Sequence, residues 1–480
     1  MKYLALQNII PQIMLASSAM LVLIVLIIKR NHTLISTLTV ILLLLCAASV
    51  IWQSPGSKEN GWLFAADGIG NMVVFLVISS AVVVTVLSFS YLEKHDINKE
   101  EYYLIMILGT LGASALAVAN HFVTFILGLE LLSISIYIMT GYLKRWDNVV
   151  EASVKYLILA SVSSAFLLMG MAFLYAGTGS MNFDVIGTRI SVIMHHSGIF
   201  LPAGIGLMLV GIGFKIGVVP FHMWIPEIYH GSPAPAAAFI ASASKASVVA
   251  VALRFFVKAG GYHFPALLII LSVIAVLSML TGNILALLQK NVKRILGYSS
   301  IAHFGYILVS FVAGGKTGAE AVIFYLLVYI ISILGAFGII ILMSGEKKDA
   351  QDLSEFRGLF WRHPWQAAIL TAMLLSLAGI PLTAGFIGKF YILSSGLYAG
   401  YVYLAVILVI TSVAGLFYYL RIITEMFKES EGIQNRPVRT TLLFGGSFML
   451  TLLFILVVWI GLNPGAIARL IHILAGNFIS

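Results

Sequence analysis

Unbroken apolar runs of about 20 residues recur from one end of this chain to the other, and they limit its fold more than any other feature. A helix rising 1.5 Å per residue needs about 20 apolar residues to cross a hydrocarbon layer roughly 30 Å thick. A membrane β-strand would instead show about ten residues of alternating polarity. The runs here are continuous. Their approximate cores are 9–28, 34–52, 68–91, 102–119, 122–142, 152–176, 199–219, 235–257, 264–288, 295–312, 318–343, 365–397, 401–427 and 441–461. The expected fold class is therefore an all-α polytopic membrane protein with about 14 transmembrane helices.

Composition agrees. Of 480 residues 60% are apolar and 10% charged, where a soluble domain carries about 25% charged residues. A cytosolic enzyme, a disordered chain and a nucleic-acid binder are excluded. The single cysteine, Cys46, excludes a disulfide framework and a cysteine-based zinc or iron–sulfur site. The first run lacks a basic leader and reads as a span rather than a cleavable signal. The 28 Lys and Arg outnumber the 19 Asp and Glu, but they cluster at helix ends. Sixteen lie in loops on one side and six on the side that holds both termini. The positive-inside rule then places both termini outside and the basic side in the cytoplasm, matrix or stroma; a bacterial inner membrane is the expected location.

Six basic residues remain, and all fall within expected spans: Lys155, Lys215, Lys245, Arg254, Lys389 and Arg421. Glu130 joins them. An ionisable group at a helix centre costs about 2.5–3.5 kcal/mol, so such groups face a protein interior or internal water and mark an ion or proton path. Arg254 and Arg421 lie near span ends, where snorkelling or a static ion pair serves equally well. Lys155 is one turn into its helix.

Lys215 and Lys389 share a further feature. Each sits in a run interrupted by glycine and proline, Gly211-Ile-Gly-Phe-Lys215-Ile-Gly-Val-Val-Pro220 and Gly379-Ile-Pro381 through Gly388-Lys389. Proline removes a backbone donor and clashes with the preceding turn, and broken mid-membrane helices mark ion sites in transporters built from inverted repeats. With spans numbered in order, the two lysines are on the seventh and twelfth. Repeats of spans 4–8 and 9–13 would put each on the fourth helix of its unit, and an odd number of helices inverts the second copy. The expected division is 1–99, 100–262, 263–435 and 436–480. A lysine in low dielectric loses affinity for its proton, and a carboxylate at about 4 Å restores roughly three pK units. Glu130 approaching and leaving Lys215 would thus load and release a proton toward Lys245 and then Lys389. His222 and His303 have the residue type suited to linking lysines. Gly314-Gly-Lys-Thr317 lacks the leading glycine of a phosphate loop, and no nucleotide, haem, flavin or iron–sulfur motif is present.

These segments resemble the antiporter-like membrane subunits of NADH:quinone oxidoreductase (respiratory complex I). The matching stretches are Gly128-Leu-Glu130-Leu-Leu-Ser133, Glu151-Ala-Ser-Val-Lys155-Tyr156, Phe214-Lys215, Pro220-Phe-His222-Met-Trp224, Ser244-Lys245, Asn291 through His303, and Gly379 through Lys389. The resemblance implies inverted five-helix repeats and a proton-input pair, Glu130 and Lys215, modulated by Lys155. It implies Lys245 as central carrier, His222 and His303 as connectors, and Lys389 as output residue. Lysine at 389 resembles the N and L types rather than M, where glutamate is usual, and the extra helices of L have no counterpart here. The resemblance further implies no cofactor in this chain. NADH, FMN, iron–sulfur clusters and quinone would belong to partner subunits, with M, K and J as membrane neighbours. A subunit of an Mrp-type Na⁺/H⁺ antiporter and a passive membrane scaffold are the competing readings.

Overall fold

The computed structural model describes residues 9–53, 61–65, 67–95, 98–144, 146, 148–193, 199–429 and 444–476. It is built of helices, with three isolated β-bridges among the described residues. In chain order these are α1 (Ile10–Ile28), α2 (His32–Trp52), α3 (Gly68–Glu93), α4 (Glu101–Ala117), α5 (Phe122–Thr140) and α6 (Val149–Thr178). A short α7 (Phe183–Ile193) precedes α8 (Phe200–Ile216) and α9 (Trp224–Gly231). Then follow α10 (Ala234–Lys258), α11 (Pro265–Leu287), α12 (Val292–Ala313) and α13 (Gly315–Met343). The last are α14 (Pro364–Ala378), α15 (Ala384–Tyr398), α16 (Val402–Phe427), α17 (Phe444–Leu462) and α18 (Gly465–Gly476).

Eleven of the described helices are long and apolar enough to cross a membrane, and three expected runs correspond to the shorter apolar helices α4, α8 and α14. The expected run 365–397 is two helices, because Gly379 and Leu382 both adopt positive φ between Ala378 and Ala384. The run 199–219 ends at Ile216, where Gly217 turns left-handed.

Neighbouring helices approach closely where side chains are absent. A Cβ on Gly112 would stand 2.6 Å from the Leu132 backbone nitrogen, one on Gly170 2.8 Å from the Gly204 carbonyl, and one on Gly282 2.6 Å from the Ala302 nitrogen. These contacts pin α4 on α5, α6 on α8 and α11 on α12, as small residues do in membrane bundles. The helices α10, α12 and α13 are enclosed almost completely, whereas α1, α2, α6 and α16 expose a continuous face of leucine, isoleucine and valine.

Two buried ion pairs fasten this bundle. Arg254 on α10 is fully buried and grips Asp67 with two hydrogen bonds of 3.0 Å, while its Nη1 donates to the Ala117 carbonyl at 2.6 Å. Asp67 also caps α3 by accepting from the Gly70 N–H. Lys293 on α12 donates to Asp349 and to the Ser232 carbonyl, both at 2.6 Å, and Tyr91 donates to the other Asp349 oxygen. Arg421 donates to the Leu287 carbonyl at the end of α11 and to the Gln289 carbonyl just beyond it. Removing one partner of a buried pair leaves a charge stranded, at about 3–5 kcal/mol. Arg254→Ala is therefore expected to lower the thermal midpoint of the detergent-solubilised protein sharply; a midpoint matching the parent would show that the Asp67 clamp does not hold the bundle.

Candidate functional site

Lys215, Lys245 and Lys389 are 6%, 1% and 8% exposed, and no carboxylate lies within ion-pair distance of any of them among the described residues. They differ in this from Arg254 and Lys293, which are equally buried but paired. Each lysine rests instead on neutral oxygens, and each sits beside an irregularity in its helix.

Lys215 lies on the last turn of α8 and donates to Ser133 on α5 at 2.8 Å. Glu130 is one turn before Ser133 on the same helix and half-buried; its carboxylate accepts from Ser164 on α6 at 2.6 Å. The expected input pair is thus held by two separate serines, Glu130 by Ser164 of α6 and Lys215 by Ser133 of α5, and no direct ion pair joins them. Beyond Lys215, Trp224 donates to the freed Phe214 carbonyl at 2.9 Å and keeps the break satisfied.

Lys389 shows why a helix break accompanies a buried amine. The last carbonyls of an α-helix have no partner inside it and carry the negative end of its dipole. Here α14 stops at Ala378, and Lys389 donates to the Ala378 carbonyl and to Ser412 on α16, both at 2.7 Å. Gly379 serves the turn with φ of 84° and leaves room for the amine, since a Cβ there would meet Lys389 Cδ at 2.8 Å.

Lys245 follows a break that the sequence does not announce. Residues Ile240–Ser244 form a π-helical turn inside α10, directly before Lys245. Such turns collect at functional positions. The Lys245 amine donates to Ser300 on α12 at 2.5 Å and stands 4.6 Å from the Phe304 ring centre.

One face of α12 connects the second and third lysines. Ser300 holds Lys245, His303 comes one turn later, and the Tyr306 ring lies 5.2 Å from the Lys389 amine. Six residues of helix span about 9 Å. His303 is 2% exposed and bonded through both nitrogens, to Tyr325 at 2.6 Å and Tyr419 at 2.9 Å. Tyr329 donates to Ser300 at 2.8 Å. Ser133, Ser164, Ser300, Ser412, Tyr325, Tyr329 and Tyr419 carry no signal in the sequence, because hydroxyl residues occur throughout the spans.

Two expected site residues are placed differently. Lys155 is not in the interior: its side chain is 48% exposed on α6, paired with Glu151 at 2.8 Å and Glu227 at 3.3 Å. One turn from the helix start, a long side chain reaches the surface, and acids there remove any need for burial. His222 is buried in the turn between α8 and α9, but neither ring nitrogen meets a side-chain partner and no hydrogen bond joins it to Lys215 or Lys245.

The fold and this cation row define an antiporter-like, multi-pass membrane protein. The chain belongs to the NADH:quinone oxidoreductase/Mrp antiporter transmembrane family, whose sequence model matches residues 119–415. It is 42% identical over 424 residues to the NADH-quinone oxidoreductase subunit N of Ectopseudomonas mendocina (strain ymp), covering 85% of this chain and 84% of that one. A chain of respiratory complex I from Thermus thermophilus with bound aureothin superposes with a TM-score of 0.82 at 28% identity, covering 96% of this chain and 99% of that one. A chain of the Mrp complex from Dietzia sp. DQ12-45-1b superposes with a TM-score of 0.85 at 20% identity, covering 99% and 98%; that likeness is one of fold alone.

Burial separates the lysines experimentally. An amine-reactive reagent applied to the solubilised protein is expected to modify Lys155 and to spare Lys215, Lys245 and Lys389, read by peptide mass spectrometry. Equal modification of all four would contradict the enclosed row.

Proposed function

We propose that this chain is subunit N of a proton-translocating NADH:quinone oxidoreductase and moves protons along the row Glu130, Lys215, Lys245, His303 and Lys389. The observation that carries this reading is the contrast within one bundle: buried cations that hold the fold are paired with carboxylates, while three buried lysines are left on hydroxyl and carbonyl oxygens. A neutral oxygen can support a lysine with or without its extra proton, whereas a fixed carboxylate holds the charged form. In this reading Glu130 and Lys215 form the input, Lys245 carries the proton through the middle, and Lys389 delivers it. His222, without a side-chain partner at the α8 break, acts through internal water, and Lys155 tunes the input from the rim.

Inverted five-helix units fit the same reading. In each proposed unit the residue capping the second helix makes an isolated antiparallel bridge to the loop after the third helix, His121 to Asn182 in the first and Asn291 to Asp352 in the second. In each, the fourth-helix lysine reaches the second helix, Lys215 at Ser133 and Lys389 at Tyr306. Redox chemistry would belong to partner subunits holding NADH, FMN, iron–sulfur clusters and quinone, with M, K and J as membrane neighbours. Both termini would face the outside of a bacterial inner membrane. The 42% identity to a subunit N favours this assembly over an Mrp-type antiporter.

The test is Lys215→Ala and Lys389→Leu in membranes containing the assembled complex. Proton pumping driven by NADH oxidation is expected to fall by about tenfold or more, the scale of losing a positioned proton-transfer group. Normal pumping with both variants would support a passive scaffold, and sodium-dependent proton flux without NADH oxidation would support the Mrp-type reading.

A further inference from the structure

His303 is bracketed in an uncommon way. Its imidazole is wholly enclosed, with a tyrosine hydroxyl on each nitrogen: Tyr325 of α13 at Nδ1, 2.6 Å, and Tyr419 of α16 at Nε2, 2.9 Å. The two tyrosines come from two different helices, α13 and α16, and both are buried. Tyr325 is pressed into place, since a Cβ on Gly388 would stand 2.8 Å from its ring. Its neighbour one turn along α13 is Tyr329, which bonds to Ser300, the partner of Lys245. Tyr419 lies two turns along α16 from Ser412, the partner of Lys389. On α13 the bracket thus neighbours the Tyr329–Ser300–Lys245 contacts, and on α16 the Ser412–Lys389 contact.

We propose that Tyr325 and Tyr419 are relay residues that hold His303 and carry the proton across it, Tyr325 as inlet and Tyr419 as outlet. This rests on the proton-path reading above. A neutral imidazole has one donor and one acceptor, while a phenol hydroxyl can be either. The bracket therefore has two arrangements of opposite polarity. In the loaded-ready one, Tyr325 donates to Nδ1 and the Nε2–H donates to Tyr419. A proton arriving at the Tyr325 oxygen displaces that hydroxyl's own proton onto Nδ1. Nε2 gives its proton to the Tyr419 oxygen, and the Tyr419 proton leaves toward Lys389. One proton enters, one leaves, every group ends neutral, and the imidazole has changed tautomer. The reversed bracket cannot pass a second proton in the same direction until the imidazole and both hydroxyls reset. The two tyrosines thus make this step strictly one proton per cycle.

Tyr325→Phe and Tyr419→Phe remove only the hydroxyls and keep the packing. In inverted membrane vesicles holding the assembled complex, each is expected to slow proton pumping about tenfold or more and to enlarge its solvent deuterium isotope effect. Because the groups act in series, the double variant is expected to pump no worse than the slower single one. A structural role would instead give losses that add, with reduced assembly and an unchanged isotope effect, and would overturn the proposal. His303→Ala and Lys389→Leu are run alongside. If they abolish pumping while both tyrosine variants pump normally, the relay is wrong and the path stands. If they too pump normally, the path itself fails.

Discussion

Three lysine amines are enclosed in this bundle with no carboxylate at ion-pair distance among the described residues, and each is held on serine hydroxyls or a helix-end carbonyl. An ammonium removed from water is costly, and neutral oxygens recover only part of that cost. Each lysine also sits beside a helix irregularity, though only Lys389 takes its oxygen from one; Lys215 and Lys245 rest on serines of neighbouring helices. The break after Ala378 exposes a carbonyl to Lys389, the left-handed turn at Gly217 ends α8 just beyond Lys215, and the π-helical turn in α10 precedes Lys245. At Lys389 a regular helix would have kept the Ala378 carbonyl occupied.

The bundle bears this irregularity because it is stiffened elsewhere. Arg254 with Asp67, and Lys293 with Asp349 and Tyr91, cross-link helices distant in sequence through fully satisfied buried pairs. Glycines 112, 170 and 282 bring helix backbones into contact where no side chain intervenes. One population of buried charge is thus immobilised by opposite charge. The other stays on uncharged partners, where gaining or losing a proton does not strand a counter-ion.

Much of the site is readable from the chain, for an energetic reason. A lysine or glutamate inside an apolar run is expensive enough to stand out against any background, so Glu130, Lys215, Lys245 and Lys389 announce themselves, and glycine and proline announce the two breaks beside Lys215 and Lys389. Lys155 shows the limit of that signal. Its position within a run suggests burial, but the distance of one turn from the helix start lets the side chain reach Glu151 and Glu227 at the surface. The π-helical turn at Ile240–Ser244 shows the opposite failure: alanine and serine fit an α- or π-turn equally, and only packing chooses between them.

The sequence alone determined that the chain is helical and crosses a membrane many times, because hydrocarbon demands that every backbone group be paired within its own segment. It also determined which side chains carry titratable charge through the spans. Tertiary structure decided which of those charges are neutralised and which are not, and which hydroxyls meet them. Ser300, His303 and Tyr306 form a rail between two lysines only because α10, α13, α15 and α16 converge on one face of α12. Such convergence depends on contacts between residues up to hundreds of positions apart, and a local pattern of apolar and polar residues holds no record of them.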